Sequence, residues 1–214
     1  DQKPDLILAS GDMLSGDREE GDAIAVALLS RLSDLAPVCF VNGNHEMCVE
    51  RHQPERYQKL MDDLKTGGVQ VLHNETAYFW IDGEKVAVTG YELPWEYYRR
   101  FSRRHPSVVG MERSIGKRKQ DAYQILLTHN PVFFSEYTAW GADFTFAGHL
   151  HGGFIRLPYF GGVISPQFQL FPKYDHGLYQ MDTSSMVVGA GMGNHSGLFR
   201  INNPTEIVTV RIKR

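Results

Sequence analysis

Val38-Cys39-Phe40-Val41-Asn42-Gly43-Asn44-His45-Glu46 is a run of four apolar residues that ends in a glycine turn crowded with polar side chains. A short apolar run bounded by turn residues reads as a strand buried on both faces, the kind that parallel sheets use. The same pattern stands upstream, where Asp5-Leu6-Ile7-Leu8-Ala9-Ser10 runs into Gly11-Asp12. Between the two, residues 23–35 place apolar side chains at 24, 28, 29, 32 and 35, the stripe of an amphipathic helix, and Pro37 stops it. A second helix is predicted over 54–65, with Gly67-Gly68 as its stop signal. Strand, helix, strand, helix predicts an α/β layered domain.

Further along, residues 69–72, 76–81 and 85–89 are strand-like, and Asp82-Gly83 joins the last two as a hairpin. Residues 124–128 read as a strand, a helix begins at Pro131, and 143–147 form another strand. The last third is Gly-rich and strand-like and closes with 206–212. One stretch differs in charge. Residues 91–120 hold eight Lys/Arg against three Glu, a local balance of +5, so the rest of the chain carries −8. With no internal repeat, residues 1–214 are expected to form a single domain with a basic helical insertion at about 91–120.

Composition narrows the function. The 214 residues are 42% hydrophobic and 22% charged, ordinary for a globular protein. A net charge of −3 argues against a dedicated nucleic-acid binder, so no nucleic-acid partner is expected. No apolar run reaches the roughly 18 residues of a membrane-spanning helix. Cys39 and Cys48 are too few for a disulfide framework or a cysteine-based zinc site.

Four apolar strands each end in a turn that carries a metal-ligand type: Ser10-Gly11-Asp12, Gly43-Asn44-His45-Glu46, Thr128-His129-Asn130 and Gly148-His149-Leu150-His151. The carboxyl ends of strands are where α/β sheets bind ligands, and glycines there let the backbone approach closely. Imidazole with carboxylate suits Zn, Fe or Mn. Two such ions about 3.5–4 Å apart clamp an in-line displacement at phosphorus. Taken singly, a Gly-Asp turn or a Thr-His pair is more often a plain turn or a core histidine. The ordered conjunction is what points to chemistry.

That order resembles the calcineurin-like metallophosphoesterase superfamily, whose pattern is Asp-x-His, Gly-Asp, Gly-Asn-His-Glu/Asp, His and Gly-His-x-His. The last four stand here, from Gly11 to His151. The tail, with Gly161-Gly162-Val163-Ile164-Ser165-Pro166 and Phe171-Pro172-Lys173-Tyr174-Asp175-His176-Gly177, looks like the bacterial branch that often carries an amino-terminal membrane anchor. The resemblance implies a four-layer αββα sandwich with a dinuclear centre of divalent metal ions (Mn, Fe or Zn). It implies that Asp12 bridges the two metals, that Asn44, His129 and His149 complete one site, and that His151 belongs to the other. His45 then meets the phosphoryl oxygens or protonates the leaving group, and a metal-bound hydroxide is the nucleophile. The implied reaction is hydrolysis of a phosphomonoester, phosphodiester or pyrophosphate bond, on a nucleotide-linked lipid by likeness to bacterial relatives.

Nothing upstream of Asp12 matches Asp-x-His, so the expectation is a fold lacking its first strand–helix unit, most simply because the chain is a fragment. The rival expectation is a non-catalytic interaction module with an incomplete metal site. The parent is expected to be either membrane-anchored or cytoplasmic. Arg99, Arg100, Arg103 and Arg104 form like-charged i,i+4 pairs if helical, which repel. Arg100 and Arg104 are therefore expected to grip a charged substrate or an anionic lipid or membrane surface, against the plainer reading of a solvated helix face.

Overall fold

The computed structural model of the chain describes residues 3–14, 19–99, 104–153, 156–157, 161–163, 170–193 and 200–213. In chain order the elements are β1 (Ile7–Ala9), α1 (Glu20–Ser33), β2 (Val38–Phe40), α2 (Asn44–His52), α3 (Pro54–Thr66) and β3 (Val69–Val71). Then come β4 (Thr76–Ile81), β5 (Glu84–Tyr91), α4 (Val108–Ile115), β6 (Tyr123–Thr128), α5 (Phe134–Trp140) and β7 (Phe144–Ala147). Two short strands, β8 (Arg156–Leu157) and β9 (Gly161–Gly162), precede β10 (Gly177–Met181) and β11 (Ser184–Val188).

Alternation along the strands builds the layers. In β2, Val38 and Phe40 point to one side and join Leu29, Leu60, Met61 and Leu64 of α1 and α3. Cys39 and the following Val41 point to the other side and meet Val86, Val88, Ile125 and Leu127 of β5 and β6. Because side chains on a strand alternate faces, each strand buried on both sides must lie between two layers. On the far face, Leu126 packs with Met111, Ile115, Tyr137 and Trp140 of α4 and α5. The result is helix, sheet, sheet, helix: a four-layer αββα sandwich.

The first sheet has the order β1-β2-β3 and is parallel throughout, with β1 at its edge among the described residues. The second has the order β10-β11-β7-β6-β5-β4, with β5, β6, β7 and β11 parallel and an antiparallel strand at each edge. The Asp82-Gly83 hairpin stands as expected, both residues at positive φ and Ile81 opposite Glu84. No described helix is long and apolar enough to cross a membrane.

Three expectations are corrected. α2 was not foreseen: its apolar residues are too few for a clear stripe, and it begins because the Glu46 carboxylate accepts from the Gly43 N–H at its amino end. Residues 206–212 alternate like a strand, yet no described strand pairs with them, and alternation without a ladder is not a strand. The basic stretch is not one helix. Tyr91 closes β5, Trp95–Tyr98 make a single 3-10 turn, and α4 comes only at Val108. Arg99 is extended at φ −67°, ψ 135°, so the helical Arg99–Arg103 pairing fails at its first member. Proline at position 94 and again at 106 explains the interruption, since each disfavours a helix running through it. Arg100 and Arg103 lie outside the described residues.

The two thiols occupy different worlds. Cys39 is fully buried between the sheets, and burial pushes its thiol up to about 12, while Cys48 on α2 is half-buried. The thiolate is the reactive form. A maleimide at neutral pH should therefore label one cysteine per native chain, at Cys48, and two in denaturant, counted by intact mass. Prompt double labelling of the native chain would contradict the sandwiched position of β2.

Candidate metal centre

β1 and β2 run parallel with Ala9 beside Phe40, so their carboxyl-end turns emerge at the same height. Those turns touch backbone to backbone. A Cβ on Gly11, which sits at φ +88°, would lie 2.3 Å from the Gly43 nitrogen, so only glycine fits there. Asp12 follows at φ 54°, a left-handed conformation that Asp tolerates better than most residues.

Glu46 fastens the two turns. Its Oε2 accepts from the N–H of Asp12 at 2.8 Å and of Gly43 at 2.8 Å, and its Oε1 accepts from Leu14 at 3.0 Å. The side chain is completely buried. Burial and the nearby Asp12 carboxylate push its pKa up, and the N–H donors of Gly43 and Asp12 oppose them. The His45 N–H then donates to Asp12 Oδ1 at 2.9 Å, which turns Oδ2 toward the second sheet.

From that sheet come the imidazoles. His129, just past β6, donates from Nδ1 to the Ser10 carbonyl at 2.6 Å; this leaves Nε2 3.0 Å from Asp12 Oδ2 and 3.0 Å from His149 Nδ1. Ligand atoms of Asp12, His129 and His149 all lie within 4.8 Å of one another. His149 and His151 both sit at positive φ, 66° and 49°, in the turn after β7. His45 Nε2 stands 3.9 Å from Asp12 Oδ2.

Charge is balanced tightly here. Burial alone would raise Asp12, but His129 and its neighbours more than offset this and hold the carboxyl well below its usual range. Burial would lower His129, yet the Asp12 carboxylate outweighs it and the imidazole is raised. His149 is driven well below its ordinary value, first by burial and then by the positive charge of His129, with His151 adding to the effect. The buried Asn44 Oδ1 and His149 Nε2 find no hydrogen-bond partner among the described residues. Converging acceptor atoms and orphaned buried ones form a donor set suited to a divalent cation.

The predicted residues Asp12, His129 and His149 thus come together, with His45 against them. Asn44 sits at the first position of α2, and His151 two residues from His149 in the turn after β7. Arg104 does not join them: its side chain is 71% exposed and pairs with Glu96 at 3.4 Å. Arg100 lies outside the described residues. Four other histidines are engaged elsewhere, His73 with Glu92, His105 with Glu136, His176 with Glu206 and His52 with the Cys48 carbonyl. His195 lies outside the described residues. Sequence reasoning missed two contributors. Glu46 was quoted without a role, and Tyr98 stacks its buried ring edge-on against His149, centroids 5.3 Å apart.

Two stacked sheets with carboxylate and imidazole gathered at their carboxyl edges define a metal-binding α/β hydrolase. The chain belongs to the calcineurin-like phosphoesterase family, whose profile residues 1–153 match. It is therefore a hydrolase of phosphoesters, and the family implies divalent metal ions. The uncharacterized metallophosphoesterase YkuE of Bacillus subtilis is 26% identical over 215 residues, covering 100% of this chain and 69% of that protein. The phosphodiesterase YaeI of Escherichia coli is 25% identical over 212 residues, 99% of this chain and 72% of its own length. The crystal structure of the phosphopantetheinyl hydrolase PptH from Mycobacterium tuberculosis superposes with a TM-score of 0.51 at 14% identity, covering 87% of this chain and 78% of that one. That likeness is one of fold.

Replacing Glu46 with Ala strands three buried N–H donors, each worth about 1–3 kcal/mol when unmatched. Urea unfolding should show Glu46→Ala to be less stable by about 3 kcal/mol or more. Glu46→Gln should lose less, since its amide oxygen still accepts. Equal midpoints for the three proteins would mean that the carboxylate fastens nothing.

Proposed function

We propose that the chain hydrolyses a phosphomonoester, phosphodiester or pyrophosphate bond at a centre of two divalent cations held by Asp12, Asn44, His129, His149 and His151, with His45 acting on the phosphoryl group. The convergence of Asp12 Oδ2, His129 Nε2 and His149 Nδ1 carries the reading. Acceptors packed this closely repel one another unless a proton or a cation lies between them. When bound, the cations supply Lewis acidity and bring the pKa of a water near neutrality.

The chain's own residues do the rest. The Ser10 carbonyl fixes the His129 tautomer, leaving the Nε2 lone pair for a cation. Asp12 keeps one oxygen on the His45 N–H and presents the other. Asn44 offers a neutral oxygen, so the centre keeps net positive charge toward an anionic substrate. The His45 side chain is 26% exposed against 2% for His129 and 9% for Asp12. Exposure on that scale lets it meet a substrate while the ligands stay out of solvent, donating a hydrogen bond to a phosphoryl oxygen or a proton to the leaving group.

Asp12→Ala and His129→Ala should lose bound metal, measured by elemental analysis, along with hydrolysis of bis(p-nitrophenyl) phosphate. His45→Ala should keep its metal and lose two to three decades of turnover, about 2.7–4 kcal/mol. Asp12 makes His129 bind a proton more tightly than a free imidazole does, and any such proton must leave when a cation enters. Metal affinity should therefore rise with pH until it passes the raised His129 value, then level off. Full metal retention in His129→Ala defeats the reading.

The finer substrate assignment is a nucleotide-linked lipid, with the basic 91–120 stretch facing an anionic surface. Its net +5 and the exposure of Arg104 support this. Arg104→Glu should weaken binding to phosphatidylserine vesicles, less so as salt rises, because screening at 0.15 M acts beyond about 8 Å. Hydrolysis of the small diester should stay unchanged. Undiminished vesicle binding leaves the arginine a solvated group.

A further inference from the structure

The turn that carries His149 and His151 continues in an unusual way: His151, Gly152 and Gly153 follow one another at φ 49°, 70° and 82°. Three successive left-handed residues turn their carbonyls away from any ladder, and buried carbonyls must be paired. The partner comes from 50 residues downstream. Asn203 Nδ2 donates to the His151 carbonyl and, at 2.7 Å, to the Gly153 carbonyl. Both protons of one amide are thereby spent on a single turn.

Asn203 is singled out by its surroundings. It is 4% exposed, the one buried position in 201–213 among the described residues. Gly152 is shaped around it, since a Cβ there would stand 2.7 Å from Asn203 Oδ1. The segment is pinned on its other side by Glu206, whose N–H donates to the Gly191 carbonyl and whose Oε1 accepts from the Ala190 N–H at 2.8 Å and pairs with His176 at 2.7 Å. A Cβ on Gly191 would lie 3.7 Å from His151 Nδ1, so the pinned loop borders the imidazole itself.

We infer that Asn203 is a positioning residue of the metal centre: its amide holds the His151–Gly153 turn in the conformation that sets His151 beside His149. The inference rests on the metal reading above and adds a residue beyond the 1–153 stretch that the family profile matches. An apolar or carboxylate side chain at 203 removes the amide that donates to both carbonyls, and His151, which has no glycine's freedom, relaxes out of its left-handed conformation.

The test is calorimetric titration of the chelator-stripped full chain with Mn²⁺, alongside thermal unfolding. Outer partners that orient a ligand typically cost 10–100-fold in metal affinity when removed. Asn203→Asp and Asn203→Ala should each weaken Mn²⁺ binding by about that factor. The double variant Asn203→Asp/His151→Ala should bind no more weakly than His151→Ala alone, because the two act through one imidazole. If either variant fails to fold, Asn203→Ser, with a shorter donor, should show an intermediate loss. Mn²⁺ affinity unchanged within about twofold in folded Asn203 variants, or losses that add in the double variant, overturns the inference and leaves the metal reading standing. Full Mn²⁺ binding by His151→Ala instead overturns the metal role of His151, and this inference with it.

Discussion

One buried carboxylate organises this molecule's functional edge. Glu46 collects three backbone N–H groups from two turns that arrive on neighbouring parallel strands. Parallel pairing brings the turns level, but level turns of unpaired N–H groups would simply face water. With Glu46 between them, they are joined into one hydrogen-bonded unit. Asp12 is held in a left-handed conformation, His45 reaches it through the backbone, and Asn44 opens the helix that Glu46 itself starts. An apolar residue at 46 would strand those N–H groups and cost stability as well as the arrangement of the two turns.

The other side of the site is electrostatic rather than mechanical. His129 is anchored at Nδ1 by a carbonyl of the other sheet and faces a carboxylate with Nε2. His149 then meets an imidazole already favoured as a cation, so it stays neutral. The arrangement accepts one positive charge readily and resists a second on protein atoms.

The layered fold and the ligand-bearing turns were legible in the sequence because their signals are local. Four apolar residues ending in a glycine turn are a strand and its carboxyl end wherever they occur, and the order of the turns is one-dimensional information. An α/β layered domain followed from strands too apolar to face water on either side, while the four-layer αββα order was implied by the family resemblance. What could not be read depends on distant partners. Glu46 looks like an ordinary polar helix residue until the Asp12 turn lies against it. Asn203 stands in Asn202-Asn203-Pro204, which reads as a surface turn, and its two acceptors are 50 residues away. The basic stretch misled for the opposite reason: spacing of like charges suggested a helix, and the backbone at Arg99 is extended.

The seam between the sheets is apolar, lined by Cys39, Val41, Val88, Ile125 and Leu127, and directional contacts between the halves stand at its rim, where His129 donates to the Ser10 carbonyl and Glu92 accepts from the Asn42 N–H. At its rim, Asp12 and Asn44 belong to one half and the three imidazoles to the other. The proposed ligand set is complete only when both halves are docked. An ion held by all of them would therefore favour the docked sandwich over states in which the halves are apart. Its binding free energy would belong to the assembled state, adding about 4 kcal/mol when free metal stands a thousandfold above its dissociation constant. Such an ion would thus also report on assembly, since a chain with misaligned halves would stay both unloaded and less stable.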